Sequence, residues 1–270
     1  MALRFCVLSY ANASPLVCFI SESAPESQLS YYPPRHSVIP LLDGQADAAL
    51  IPVIDFFAHP ELTMIPGLGI CADGDVTSVL LQCHRPLATV TAIRLDPESK
   101  TSNALVQVLV REHFRLARQV KYVREVTEIE ADVCIGDRAL RAAPALESYD
   151  LAGQWKQMTG LPFVFAVWAV HRSCPDVEEI TQVLQQAKER GCRSRRQLAG
   201  ICSQRLGLAE DRCYDYLVHR LHYDVGSREL EGMNVFRELA AEFLKPVVGS
   251  ELRTVPSPAK GPARPILERS

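Results

Sequence analysis

Short apolar runs separated by turns and amphipathic segments constrain the fold of this chain more than any other sequence feature. Residues 48–53 are apolar without a break, a pattern typical of a strand that is covered on both faces. Similar runs at residues 4–9, 90–95 and 163–170 alternate with segments of helical periodicity, such as residues 102–113. Strands that alternate with helices predict an α/β fold with mostly parallel sheets.

The chain is long enough for two sheets, and the order of its predicted elements favours two over one. Its 270 residues, 47% of them hydrophobic, can form one large domain or two modest ones. Extended segments near residues 78–86 and 163–171 predict two strands that run between two lobes as a hinge. We therefore predict a discontinuous lobe one of residues 1–83 and 172–245, a lobe two of residues 84–171, and a disordered tail of residues 246–270, rich in proline, glycine and charge.

Composition argues against several classes of protein. A formal net charge of -3 provides no basic field for a phosphate backbone, so we expect no nucleic-acid partner. No apolar run approaches the roughly 20 residues that cross a bilayer, so we expect no membrane partner. Nine widely spread cysteines without a C-x-x-C pair, behind no recognisable secretory leader, predict reduced thiols and a cytoplasmic location. The oligomeric state is not indicated.

Conventional catalytic and metal-binding motifs are scarce. The chain contains no H-E-x-x-H, G-x-S-x-G, G-x-G-x-x-G or Walker sequence, and its cysteines have no nearby histidine signature. His219 and His222 form the one close histidine pair, and a pair without a third ligand is a weak metal signal. We therefore predict neither a metal nor a cofactor.

Polar segments that directly follow predicted strands supply the candidate site, since open α/β sheets bind ligands at strand ends. The candidate residues are Ser9, Asn12, Thr77, Ser78, Ser99, Thr101, Ser102, Gly136 and Asp137. Residues 99–103 lead into the amphipathic helix predicted at residues 102–113, whose first N–H groups and dipole attract a carboxylate or phosphate. A purely structural alternative stays open for each, because these residue types also cap helices, form turns or lie in strands.

The segment of residues 150–168 is the most distinctive in the chain. A Thr-Gly-Leu-Pro sequence leads into a strand dense in phenylalanine and tryptophan, beginning at Phe163. Such a strand can provide an apolar wall for a ring, and we include Phe163 in the candidate site on this basis. Packing at the hinge is an equally good explanation.

Together these motifs resemble the menaquinone-biosynthesis family of the futalosine route over roughly residues 3–245. The similarity is carried by S-Y-A-N-A-S-P-L (9–16), G-Q-A-D-A-A-L-I-P (44–52), Thr77-Ser78, D-P-E-S-K-T-S (96–102), I-G-D-R-A-L (135–140) and residues 150–168. The F-V-F-A of residues 163–166 resembles the members that dehydrate chorismate rather than the sister enzymes that form dihydroxynaphthoate. Two departures are Ala11, where leucine is more common, and Asp55, where glutamate is common.

The resemblance implies a two-lobed, periplasmic-binding-protein-like (type II) fold with a two-strand hinge, used as a cytosolic lyase without a cofactor. The implied reaction removes water from chorismate to give 3-enolpyruvyl-benzoate, and the resemblance also implies that the substrate's own enolpyruvyl carboxylate takes the ring proton. Such a site needs anion-holding donors and orientation more than a strong enzymic base.

The resemblance and the residue types together suggest roles for the candidates. Asn12 would orient the ring or the departing hydroxyl, and Ser78 would act with it as the second catalytic residue. Ser99, Thr101 and Ser102 would hold one carboxylate, and Thr77 with Ser78 the other. Ser9, Gly136, Asp137 and Phe163 would complete the cleft. Two alternatives remain, a 1,4-dihydroxy-6-naphthoate synthase of the same route and a non-catalytic anion-binding protein.

Overall fold

Strands and helices are interspersed from Arg4 to His171, and the described chain from Val177 onward is helical. The computed structural model describes residues 2–116, 120–125 and 127–244. The predicted tail of residues 246–270 lies outside these residues.

The strands and helices have the following bounds. The strands are β1 (Arg4–Leu8), β2 (Gln28–Tyr32), β3 (Ala48–Pro52), β4 (Leu62–Ala72), β5 (Val79–Cys83), β6 (Ala92–Arg94), β7 (Lys121–Val123), β8 (Ala131–Ile135), β9 (Glu147–Asp150) and β10 (Phe163–His171). The helices are α1 (Ser14–Val17), α2 (Ile20–Ser23), α3 (Ile39–Leu42), α4 (Val53–Ala58), α5 (Lys100–Glu112), α6 (Gly136–Arg141), α7 (Leu151–Thr159), α8 (Val177–Arg193), α9 (Arg195–Leu206), α10 (Glu210–Asp215) and α11 (Ser227–Leu239), with a π-helix at Tyr216–Arg220.

Two five-stranded sheets form the two lobes, and they share one topology. Sheet one has the order β2-β1-β3-β10-β4, and sheet two has the order β7-β6-β8-β5-β9. In each sheet the first three strands are parallel, and the last two pairings are antiparallel. The prediction of two sheets is confirmed, and four of the five strands in each sheet run in the same direction, as the prediction of mostly parallel sheets requires. The exception is β10 in sheet one and β5 in sheet two, which runs opposite to both of its neighbours.

The chain crosses between the sheets twice. β4 ends in sheet one and β5 begins in sheet two, so the first crossing lies at residues 73–78; the second, between α7 and β10, lies at residues 160–162. β5 and β10, predicted as hinge strands, are thus inner strands of the sheets. The predicted lobe boundaries placed β5 in lobe one and β10 in lobe two, the reverse of their sheet membership.

The carboxylate of Asp150 holds the first crossing in place. Its Oδ2 accepts hydrogen bonds from the backbone N–H groups of Val76, at 2.9 Å, and Thr77, at 2.6 Å. Its Oδ1 caps α7 by accepting from Ala152 and Gly153. Burial raises the pKa of Asp150, while these backbone donors lower it. Thr77 has a φ of 63°, a left-handed conformation that is unusual for a β-branched residue and that the Asp150 contact stabilises.

An aromatic cluster packs beside the second crossing. The ring of Trp155 contacts Phe163 and Phe236, with centroid distances of 5.4 and 5.8 Å. Its indole N–H donates to the carbonyl of Pro162 at 3.3 Å. All three rings are fully buried, and the apolar core continues through them from one sheet to the other. These contacts place Phe163 in the core between the sheets.

Candidate active site

A cleft between the lobes is lined by residues at the ends of strands from both sheets. Its walls are formed by Leu8, Tyr10, Asn12, Pro34, Pro52, Ile70, Val79, Ser99, Thr101, Ser102, Ile135, Gly136, Phe165 and Ala166. Of the predicted site residues, the fold brings together Asn12, Ser99, Thr101, Ser102 and Gly136. None of the described residues that line the cleft is an acid, a histidine, a lysine or an arginine.

The N-terminus of α5 forms one wall of the cleft. Ser99 caps this helix, because its Oγ accepts a hydrogen bond from the Ser102 N–H at 3.1 Å and donates to the Ser102 Oγ at 2.8 Å. Ser99, Thr101 and Ser102 are each less than 10% exposed. The capping function left open by the sequence is thus present. The first N–H groups of this helix still have no intrahelical acceptor, so the wall presents a partial positive charge.

Asn12 faces the same cleft from the other lobe. It lies in a short 3-10 turn, Ala11–Ala13, that follows β1. Its side-chain Oδ1 is buried and has no hydrogen-bond partner among the described residues. An acceptor buried without a partner costs about 1–3 kcal/mol, a cost that a ligand hydroxyl or N–H would remove.

Gly136 allows an aromatic ring to lie against the start of α6. Its φ is 58°, and a Cβ at this position would lie 3.1 Å from the ring of Tyr10. Tyr10 was not selected as a site residue, although it lies in the polar segment 9–12. Burial, followed by the charges of Asp96, Glu98 and Asp137, raises the pKa of Tyr10, with Arg138 acting in the opposite direction. The phenol is therefore neutral at physiological pH.

Ser78 and Thr77 do not line the cleft. Ser78 is 1% exposed, and its Oγ accepts a hydrogen bond from the hydroxyl of Tyr216 at 2.8 Å. Its carbonyl accepts from the N–H of Gly136 at 2.7 Å. Ser78 therefore positions Gly136 without lining the cleft itself. Tyr216, which begins the π-helix, was not selected from the sequence, because nothing in its local sequence distinguishes it.

Three other predicted residues also lie outside the cleft lining. Ser9 is exposed, and its carbonyl accepts from Arg205 at 3.0 Å. The Oδ1 of Asp137 accepts from the Ala11 N–H at 3.0 Å and its Oδ2 pairs with Arg205 at 2.8 Å, so Asp137 joins α6 to the opposite lobe. Phe163 lies in the aromatic cluster, and Phe165, two residues further along β10, forms the apolar wall instead.

No helix within the described ranges is long and apolar enough to cross a membrane. Within the same ranges, no group of three or more histidine, cysteine, aspartate or glutamate residues has a metal-binding arrangement.

The two lobes and the cleft between them define a periplasmic-binding-protein-like fold. The structure is similar to a protein from Archaeoglobus fulgidus, with a TM-score of 0.69 and 12% identity, covering 89% of this chain and 97% of that one. It is also similar to the periplasmic aliphatic sulphonate binding protein of Escherichia coli, with a TM-score of 0.60 and 15% identity, covering 95% and 94% of the two chains.

Sequence comparison then identifies the family. Residues 3–242 match the profile described as menaquinone biosynthesis, and the chain belongs to this family. It is 28% identical over 256 residues to a chorismate dehydratase of Thermus thermophilus, covering 85% of this chain and 92% of that protein. It is 37% identical over 122 residues to a chorismate dehydratase of Campylobacter jejuni, covering 44% and 43% of the two chains.

Proposed function

We propose that this protein is a chorismate dehydratase that converts chorismate to 3-[(1-carboxyvinyl)oxy]benzoate and water. One observation supports this particular reaction, in addition to membership of the family. A cleft without ionised side chains places the N-terminus of a long helix opposite an asparagine whose buried oxygen has no partner. Chorismate offers a matching set of groups, with carboxylates for the helix terminus and a ring hydroxyl for the asparagine.

The reaction requires little from ionisable protein groups. The C–H bond at the ring carbon that carries the enolpyruvyl ether breaks, and so does the C–O bond to the hydroxyl on the neighbouring carbon. The proton and the hydroxide leave as water, and the electron pair of the C–H bond completes an aromatic ring. The substrate's enolpyruvyl carboxylate can accept the proton, so the protein mainly binds, orients and excludes water.

The cleft residues divide this task between them. The N–H groups at the start of α5, with the hydroxyls of Thr101 and Ser102, hold a carboxylate. Asn12 accepts a hydrogen bond from the departing hydroxyl and fixes its direction relative to the ring. Phe165 and Tyr10 enclose the ring plane. Ser78, Thr77, Ser9 and Asp137 act behind the walls or across the lobes rather than on the substrate. We place this reaction in the cytosol, as the cysteine content suggests.

An assay with chorismate tests the proposal. We expect a rise in aromatic absorbance and a product lighter than chorismate by one water in mass spectrometry. Parallel incubation with the cyclic dehypoxanthine futalosine separates the dehydratase from the sister enzyme, which would release dihydroxynaphthoate from that compound only. Chorismate that binds in calorimetry but is recovered unchanged would instead identify a non-catalytic anion-binding protein.

A further inference from the structure

A second cavity opens next to the cleft and differs from it in charge. Its volume is ≈ 320 Å³, large enough for a small polar molecule, and it shares Ser99 with the cleft. We call it the cationic pocket. It is lined by Arg35, Arg94, Leu95, Asp96, Pro97, Ser99, Lys100, Asn103, Arg124, Val133 and Arg138.

Three of the five cations that line the pocket are paired with carboxylates. Lys100 pairs with the buried Asp55 at 2.9 Å, Arg94 pairs with Asp132 at 3.2 Å, and Arg138 pairs with Asp96. These pairs leave little net charge. The positive field of the pocket therefore comes mainly from the two other arginines.

Arg35 and Arg124 make no ion pair with any described residue. Arg124 follows β7 in lobe two and is exposed, whereas Arg35 is half-buried in the 3-10 turn Pro34–His36 of lobe one. Two unpaired guanidiniums from opposite lobes thus line one cavity. Because like charges repel, they are best accommodated when an anion lies between them.

We propose that the cationic pocket is a capture site for the small organic dianion that reacts in the adjacent cleft, an inference that rests on the proposed function. The pocket draws the dicarboxylate to the mouth of the cleft, where Arg35 and Arg124 each attract one carboxylate. The shared Ser99 marks the path inward to the N-terminus of α5. A charged wall of this kind raises the association rate, and its effect weakens as salt screens it.

The test compares Arg35→Gln, Arg124→Gln and the double variant with Arg237→Gln, which removes the same charge from an exposed position on α11 outside both cavities. We expect kcat/KM at about 0.02 M ionic strength to fall about threefold to tenfold in each single variant, with kcat unchanged. The double variant should lose most of the salt dependence of kcat/KM that the wild-type and Arg237→Gln proteins retain.

A non-reactive dianion, malonate, provides a readout that does not require turnover. Calorimetry should detect malonate binding to the wild-type protein and weaker or no binding to the double variant. In the assay, malonate should compete with the substrate; non-competitive inhibition would reveal a separate regulatory anion site and overturn the proposal. Equal kcat/KM in the double variant and Arg237→Gln would overturn it as well. An absence of chorismate turnover in the wild type would reject the proposed function alone, since malonate binding would still report on the pocket.

Discussion

The cleft and the cationic pocket lie side by side between the same two lobes, yet they present opposite chemistry. The cleft is lined by apolar residues, hydroxyls and one amide, whereas the pocket is lined by five cationic side chains. Ser99 belongs to both. The difference suggests a division of labour in which fixed charges attract a dianion and neutral donors hold it for reaction.

This division has a physical basis. In the proposed reaction, a guanidinium inside the cleft would bind the ground-state carboxylates tightly and would compete for the carboxylate that takes the ring proton. Neutral hydrogen-bond donors and a helix terminus orient an anion without neutralising it. Cationic side chains in the adjacent pocket can instead raise the rate constant for association of an anion with the protein.

The largest effect is expected from removing the amide in the cleft. Asn12→Ala should lower kcat about 100-fold or more, as loss of a single oriented polar group in an active site commonly does. The affinity for chorismate, measured by calorimetry, should fall by a smaller factor, because the substrate hydroxyl already binds this acceptor in the ground state. Asn234→Ala, at an exposed position on α11, is the matched control. Unchanged kcat in Asn12→Ala would remove this residue from the chemistry.

A smaller effect is expected at Ser99, where the two regions meet. Ser99→Asp and Ser99→Asn both retain a side chain that caps α5, so their melting temperatures should agree. Only aspartate adds a negative charge, and its KM for chorismate should exceed that of Ser99→Asn about tenfold. If the two variants have the same KM, no carboxylate binds at this end of the helix.

The smallest effect is expected from pH, because the cleft lacks an ionised residue. Tyr10 has a pKa raised by burial, so a change from about pH 6 to about pH 9 leaves it neutral, and kcat should stay constant. Glu98, whose Oε2 is buried without a partner among the described residues, lies close enough to influence Tyr10.

Glu98→Gln distinguishes a substrate base from a protein base. We expect this variant to retain kcat, because the substrate supplies the proton acceptor. A large loss of kcat, with a normal melting temperature, would show that Glu98 takes the ring proton. The proton acceptor would then be a protein carboxylate rather than the substrate's own.

Sequence patterns predicted the inner strands better than the edge strands. β3 and β10 are buried along all or nearly all of their length, and their apolar runs were identified. β2 and β9 were missed, because each is a polar strand at or near the margin of its sheet and so has no apolar run. The shared topology of the two sheets was also invisible, since the chain has no internal sequence repeat.

The candidate site shows the same limit. Asn12, Ser99, Thr101, Ser102 and Gly136 were selected from loops that follow strands, and the fold brings these loops together because strand ends converge at one edge. Phe165 and Tyr10 were missed, since a pattern of aromatic residues does not say which ring faces a cavity. The pairing of Ser78 with Tyr216 joins residues 138 positions apart, a separation that no local pattern reports.

The sequence by itself determined the α/β class, the presence of two sheets, the family and the loops that supply polar groups, because periodicity and local motifs encode these features. Only the tertiary structure decided which crossing strand belongs to which sheet, which polar groups are left without partners, and that Arg35 and Arg124 share a cavity. Those properties depend on contacts between residues far apart in the chain, where burial and distance, rather than residue type, set the energy.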